Sequence, residues 1–225
     1  MAKINMAAVR IQVAKDSGSA GKAAATERAN QVFEDAVIGM QIDFEEHPVT
    51  QEIAGGITSE NISNTLPGSR YAPKNLYSFI GFEAGDDPLE PIRDALNPEN
   101  SAGPKLRYVR KETNGGNARF RFEVRAPDKQ RVYKRTPMPW AKGLSWAQKV
   151  ETSIPGFAYF IARFMGDPSR SGGGVQAKNA HGELQQVREE EYQAPEGGYL
   201  TGIFTRFLDQ VRAYSKGGLR RRFIK

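Results

Sequence analysis

Two histidines are the residues of this sequence best suited to activate a nucleophile, and there are no cysteines. His47 directly precedes Pro48, and His181 lies in the polar segment 179–182. A nucleophile triad needs a base that a carboxylate orients, and neither histidine belongs to such a pattern. Because zinc takes three or four ligands, two distant histidines without cysteine also predict no zinc site. We therefore expect His47 at a helix end and His181 in a surface loop.

Segment 17–23 contains the Gly-Lys pair of a phosphate-binding P-loop but lacks the rest of that pattern. The pattern requires a glycine five residues before the second glycine, and Asp16 occupies this position. It also requires serine or threonine directly after the lysine, where Ala23 stands. The sequence thus predicts no nucleotide site in this segment.

The acidic clusters fit structural roles better than a metal site. Neither Asp86-Asp87 nor the glutamates 189–191 match the ligand spacing of a calcium loop. We interpret Asp87 as a helix cap, and 189–191 as a solvated face or an acidic partner for the basic strands of a neighbouring subunit. We therefore predict no cofactor, no metal and no enzymatic activity. A pair of carboxylates that meets only in the folded chain, as in a hydrolase, remains an open alternative.

Positive charge is concentrated in two parts of the chain, whose net charge is +6. Segment 105–135 carries eleven lysines and arginines against Glu112, Glu123 and Asp128. The second cluster closes the chain and consists of Lys216, Arg220, Arg221, Arg222 and Lys225. Such a distribution favours a polyanion or an acidic protein surface as a neighbour.

The middle basic segment has the pattern of a β-hairpin. Asn114-Gly115-Gly116 separates two strand-like runs, 105–113 and 117–125. In the second run Phe120, Phe122 and Val124 alternate with charged residues, so one face should be core and the other basic. Buried rings cannot stack on bases, so any phosphate contact should be independent of nucleotide sequence. The arginines that we expect to face a lumen or a partner are Arg107, Arg119, Arg121, Arg125, Arg220, Arg221 and Arg222.

Two amphipathic helices should frame this hairpin. Residues 22–46 carry an apolar stripe at steps of three and four, and Pro48 should end that helix. The stripe consists of Ala29, Phe33, Ala36 or Val37, Met40 and Phe44. A C-terminal helix carries Leu200, Ile203, Phe204, Phe207, Leu208 and Val211, and Gly217-Gly218 should stop it. We predict an α+β fold in which both helices pack a small antiparallel sheet with a basic hairpin, with long loops and terminal arms.

The remaining elements are shorter. We predict a turn-rich loop over 47–75, a buried strand over 75–82, and a short helix from Asp87-Pro88 to Leu96. Further predictions are a third strand at 130–135, a helix at 144–150, a strand at 157–164, a loop at 166–179, and either helix or strand at 184–192.

The predicted organisation is a flexible N-terminal arm (1–20), a single domain (21–215) and a basic tail (216–225). The arm could pair as a strand on a neighbour. With 39% hydrophobic residues the chain can form a generous core. No apolar run approaches the ~18–20 residues of a membrane span, and the N-terminus has no secretory pattern. We therefore expect synthesis in the cytoplasm and no membrane contact.

The order of these elements, together with three short segments, resembles the tail-completion and neck proteins of tailed bacteriophages. The segments are HPVTQEI (47–53), NLYSFIGF (75–82) and DPLEPI (87–92), and the similarity in layout spans roughly 25–215. In that family a long helix and a loop precede a small sheet, and a C-terminal helix packs across it. The family's sheet region is usually smaller, which implies an elaboration at 100–155.

The resemblance implies a structural virion protein, made in the host cytoplasm and placed at the head–tail junction. It would form a homo-oligomeric ring as a tail-completion, tail-terminator or head-closure component. Its partners would be copies of itself, neighbouring neck, connector or tail-tube proteins, and DNA that passes without sequence-specific contact. The alternative is a nucleic-acid-binding protein that uses the 105–135 hairpin and the C-terminal arginines, and a third is the hydrolase with dispersed carboxylates.

Overall fold

A computed structural model describes residues 6–13, 18–66, 75–114, 117–139, 143–152, 161–162, 175–176 and 194–215. The strands are β1 (Met6–Val13), β2 (Lys105–Asn114), β3 (Asn117–Arg125), β4 (Ile161–Ala162) and β5 (Val175–Gln176). The helices are α1 (Gly18–Glu45), α2 (Pro48–Ala54), α3 (Leu76–Ile80), α4 (Glu90–Leu96), α5 (Lys129–Arg135), α6 (Trp146–Glu151) and α7 (Leu200–Ser215). This mixture of helices and a small antiparallel sheet confirms the α+β prediction.

The contacts divide the chain into two compact units, where the sequence predicted one domain over 21–215. Unit 1 comprises Met1–Ile42, Asp94–Asp128 and Ile203–Lys225, and unit 2 comprises Asp43–Arg93 and Lys129–Gly202. The chain passes from one unit to the other four times, and three of these boundaries fall inside the residue ranges of α1, α4 and α7. No linker composition marks the division, because a helix interior carries no such signal.

The sheet of unit 1 has the strand order β1-β3-β2, with β3 antiparallel to both neighbours. The predicted hairpin is confirmed, and Phe120, Phe122 and Val124 are buried as expected. The prediction of a flexible arm over 1–20 is wrong for β1, which pairs with β3 of its own chain. The physical reason is that Ala7 and Val9 alternate onto the same face as Val124 and Phe122 and are buried there.

The two long helices follow the prediction. In unit 1 the stripe of α1 is buried from Ala29 to Met40, and α7 buries Ile203, Phe204, Phe207, Leu208 and Val211. The helices approach closely, since a Cβ on Gly39 would lie 2.7 Å from the Gln210 side-chain oxygen. The ammonium of Lys22 lies 4.6 Å from the Tyr108 ring centroid, on the face of the sheet that carries the core.

In unit 2 the predicted loop over 47–75 is wrong in its first part, which forms α2 and a 3-10 turn at Gly56–Thr58. Pro48 occupies the first turn of α2, and Nδ1 of His47 accepts a hydrogen bond from the Val49 N–H at 3.2 Å. Proline is well suited to a helix start, so Pro48 begins one helix shortly after α1 ends. Residues 67–74 lie outside the described residues.

The predicted strand over 75–82 is wrong, because this segment forms α3. The Asn75 side chain caps the helix by accepting from the Ser78 N–H at 2.9 Å. Gly81 ends it in the left-handed region, at φ 87°. A short apolar run does not distinguish a strand from a buried helix, and here the two caps decide.

The other short elements give a mixed result. Residues 130–135 form part of α5 rather than a strand, and the adjacent Val132 and Tyr133 are both buried, which a half-exposed strand would not permit. The short helices α4 and α6 are confirmed, and Asp87 accepts from the Leu89 N–H at 3.0 Å. The predicted strand at 157–164 and loop at 166–179 are described only where β4 pairs with β5, and 184–192 lies outside the described residues.

Candidate functional site

The register of the unit 1 sheet brings three arginines into one row across its strands. Arg10 of β1 lies opposite Arg121 of β3, and Arg121 lies opposite Arg110 of β2. Neighbouring strands are ~4.8 Å apart, so the backbone positions at the two ends of the row are ~10 Å apart. We call this set the arginine row.

Further charged pairs flank the arginine row on the same side of the sheet. Arg107 lies opposite Glu123, Lys105 opposite Arg125, and Glu112 opposite Arg119. The cations of this side, which we call the basic face, are Arg10, Lys105, Arg107, Arg110, Arg119, Arg121 and Arg125. Six of the seven are exposed, and Arg121 at the centre is half-buried. Seven cations less two carboxylates leave five positive charges.

Two ion pairs neutralise part of the basic face. Arg107 lies 3.2 Å from Glu123, and Arg110 lies 2.8 Å from Glu112. The hydrogen bond from Arg110 lowers the pKa of Glu112, and the positive charges of Arg110, Arg10 and Arg121 act in the same direction. Glu112 therefore remains ionised throughout the neutral range.

The other cations of the basic face are less well compensated. Among the described residues, no carboxylate lies within 4 Å of the guanidinium of Arg10, Arg119, Arg121 or Arg125. The Nε of Arg121 is buried and has no hydrogen-bond partner in the described part of the chain. A buried N–H without an acceptor is unfavourable, so this group would gain from an external acceptor.

Of the seven arginines singled out from the sequence, the structure brings four onto the basic face. These are Arg107, Arg119, Arg121 and Arg125, whereas Arg220, Arg221 and Arg222 lie outside the described residues. Sequence reasoning missed Arg10, because β1 was interpreted as part of an arm. Alternation of Val9, Ile11 and Val13 with Arg10 and Gln12 was the available signal.

Arg110 was missed because the register of β2 shifts between Tyr108 and Arg110. Strict alternation from Arg107 would place Val109 and Lys111 on its face and Arg110 on the opposite one. The irregularity adds one residue to the strand, which brings Arg110 and Glu112 onto the face of Arg107. No turn-forming residue announces this irregularity in the sequence.

The basic face carries charge but no aromatic ring. Phe120 and Phe122 are buried on the opposite side, and Tyr108 also lies there, opposite Phe122 and below Lys22. Such a surface can contact phosphates through guanidinium groups, yet it offers no platform on which a base could stack. Its chemistry therefore fits the backbone of a nucleic acid or another polyanion.

The residues considered for catalysis have structural positions where they are described. His47 caps α2, as expected for a helix end, and its ring centroid lies 4.9 Å from that of Tyr199. Asp87 accepts from the Leu89 N–H and pairs with Arg93 at 3.1 Å. His181 lies outside the described residues.

Over the ranges that the structure describes, no group of three or more histidine, aspartate or glutamate residues is placed to hold a metal. Over the same ranges, the search for helices long and apolar enough to cross a bilayer found none.

No known protein family, curated protein or solved structure matches this chain.

Proposed function

We propose that this chain is a non-enzymatic structural subunit of the head–tail junction of a tailed bacteriophage, where its basic face contacts a polyanion. The observation that carries the polyanion contact is the basic face, with five uncompensated positive charges on one side of the unit 1 sheet. The placement at the head–tail junction rests on the resemblance of the element order and of the segments 47–53, 75–82 and 87–92 to phage neck proteins. DNA that passes through a ring of such subunits would meet guanidinium groups and no base-reading element. Contacts of that kind are weak individually, sensitive to salt and independent of sequence.

Leaving the arginine row without a counterion is unfavourable, which argues for an anionic partner. Like charges directly opposite each other on neighbouring strands destabilise a sheet. Nevertheless Arg10, Arg121 and Arg110 share one row, and only Arg110 pairs with a carboxylate among the described residues. A phosphate backbone would replace this repulsion with charge-assisted hydrogen bonds.

The sheet also provides two different edges, as a ring of identical subunits requires. Head-to-tail rings need two distinct and complementary surfaces on each subunit. In the described part of unit 1 the sheet ends in β1 on one side and in β2 on the other. Edge strands present unpaired backbone groups to which a neighbouring chain can bind.

The ring is tested by electron microscopy of phage particles that contain this protein, together with its mass in solution. We expect a closed ring at the junction of head and tail, whether or not the purified chain is already oligomeric. Particles in which the protein is absent, or is present away from the junction, would contradict the proposal.

The second candidate is a nucleic-acid-binding protein that acts outside a virion, and the basic face supports it equally. The two differ in what the isolated chain does. A monomer that binds free duplex DNA tightly and in a salt-sensitive manner, and that is absent from particles, would favour this alternative. A ring on particles with weak binding by the monomer would favour the neck subunit.

A further inference from the structure

The arginine row joins one strand from the start of the chain to a hairpin about a hundred residues later. Arg10 is the contribution of β1, and its partner Arg121 belongs to the central strand β3. Within the described residues β1 pairs with β3 alone. The repulsion between Arg10 and Arg121 therefore acts directly against the docking of β1.

The apolar anchoring of β1 is small. Its fully buried side chains are Ala7 and Val9, which are two of the smaller apolar residues, while Ile11 is half-buried. A further tether is the hydrogen bond from the Arg212 guanidinium to the Met6 carbonyl, at 3.5 Å. Because burial scales with apolar area, β1 gains less from packing than β3, which buries Phe120 and Phe122.

An oxyanion on the arginine row would change this balance. It would offset the repulsion among three guanidinium groups and give Arg121 an acceptor after a change of side-chain conformation. Only the sheet with β1 in place presents all three arginines together. A ligand that binds one state of an equilibrium better than the other stabilises that state, so the anion and β1 docking must be linked.

We infer that the Arg10–Arg121–Arg110 row is a phosphate-binding site whose occupation holds β1 in the sheet. The inference rests on the proposed function, since it assigns the phosphodiester backbone of duplex DNA as the natural occupant. The positive charge of the basic face favours an anion. Because this face carries no aromatic side chain, it favours contact with the phosphodiester backbone of DNA over contact with the bases. Binding of DNA would thereby order the first strand of the subunit.

Hydrogen exchange of the β1 amides tests the inference on the full-length chain. The probes are a 20-base-pair duplex and inorganic tripolyphosphate, each added at saturating concentration and low salt. We expect both probes to slow the exchange of the β1 amides by about tenfold or more. In the Arg10→Gln variant we expect slower exchange than in the wild type without a probe, and little further slowing with one.

Two further variants separate charge from other effects. Arg110→Gln removes one member of the row from β2, so it should also slow β1 exchange without a probe. Arg28→Gln is the control, because it removes an exposed charge on α1, where the Arg28 guanidinium contacts Gln31. Its β1 amides should exchange as in the wild type without a probe and should be slowed as much by each probe. The inference would be overturned if the β1 amides of Arg10→Gln and Arg110→Gln exchanged at the wild-type rate and were slowed by the probes as in the wild type.

The outcomes also separate this inference from the proposed function. Unchanged β1 exchange with either probe, although the duplex binds, would overturn the inference and leave DNA contact standing. Protection by tripolyphosphate without any binding of the duplex would support the anion site and contradict DNA contact. A polyglutamate peptide serves as a third probe. Slower β1 exchange with this peptide but with neither phosphate probe would overturn phosphate as the ligand and assign the arginine row to an acidic protein.

Discussion

The two units differ in where they place polar side chains and in whether these side chains have hydrogen-bond partners. Unit 1 fills its interior with apolar side chains such as Phe122 and Phe207 and places its charges on an open sheet face. Unit 2 buries polar groups, among them Glu52, Thr50 and Tyr199, and gives each of these three side chains a hydrogen-bond partner. The comparison teaches that burial and charge alone do not mark a functional site, because what matters is whether the groups are already satisfied.

Both carboxylate oxygens of the buried Glu52 accept hydrogen bonds. Its Oε2 accepts from the N–H and the hydroxyl of Ser63, at 2.8 and 2.6 Å. Its Oε1 accepts from the Leu76 N–H at 2.6 Å, at the first turn of α3. The carboxylate therefore ties α2 to segment 61–66 and to α3, which is a structural task. The arginine row of unit 1 is the contrary case, because the buried Nε of Arg121 has no acceptor among the described residues.

Glu151 has a similar structural role near α7. Its Oε1 accepts from the Thr201 N–H at 2.6 Å, and its Oε2 accepts from the Tyr133 hydroxyl. Lys129 lies 3.8 Å from the same carboxylate. A carboxylate at a helix N-terminus is favourable because it satisfies a free N–H and faces the positive end of the helix dipole.

The largest expected effect tests the apolar interior of unit 1. Replacing Phe207, which is fully buried on α7, with alanine should cost about 3–5 kcal/mol of unfolding free energy. The exposed Thr205→Ala on the same helix should change the stability by no more than about 0.5 kcal/mol. Chemical denaturation measures both, and an unchanged midpoint for Phe207→Ala would mean that this face of α7 is not core.

The next largest effect is expected from removing the hydrogen bonds that Glu52 accepts in the interior of unit 2. Glu52→Ala leaves the N–H groups of Ser63 and Leu76 without their acceptor, and at about 1 kcal/mol or more each this should cost about 2 kcal/mol or more. The matched control is Glu60→Ala, whose side chain is exposed on the same unit. Equal stability of the two variants would show that Glu52 does not hold segment 61–66 and α3 together.

A smaller effect follows from the buried hydroxyl of Tyr199. Burial raises the pKa of Tyr199 above the usual tyrosine value of 10. The unfolded chain therefore releases this proton first, so the stabilisation is present below pH 10 and is lost as the pH rises above it. The loss should approach about 1.4 kcal/mol per pH unit.

The Tyr199→Phe variant isolates this contribution. It should lose the hydrogen bond to Thr50, about 1 kcal/mol at neutral pH, and show a shallower decline in stability between pH 10 and 11. The readout is the unfolding free energy at each pH. Parallel curves for the variant and the wild type would refute the assignment.

The sequence predicted well where a pattern was long or a turn was explicit. The stripes of α1 and α7 repeat over several turns, and Asn114-Gly115-Gly116 separates the strands of the hairpin, so these elements were found. The alternation of Phe120 and Phe122 with arginines also predicted that one side of the hairpin would be basic. Four cations of the basic face could be named for that reason.

The sequence predicted poorly where local capping or tertiary pairing decided the outcome. Segment 75–82 became a helix through the caps at Asn75 and Gly81, which outweigh its strand-like composition. Arg10 and Arg110 joined the face through the docking of β1 and through the irregularity in β2. The alternation in β1 does not tell which strand it pairs with, and the irregularity in β2 has no periodic signature.

The central claim, that the basic face contacts a phosphate backbone, is tested most directly by the salt dependence of duplex binding. The measurement is the anisotropy of a labelled 20-base-pair duplex between 50 and 200 mM salt, for the wild type and an Arg119→Gln/Arg125→Gln double variant. We predict affinity that falls with salt and does not depend on the DNA sequence, with a logarithmic slope that is smaller by about 2 in the double variant. Equal slopes for the two proteins, or binding that salt does not weaken, would contradict the claim.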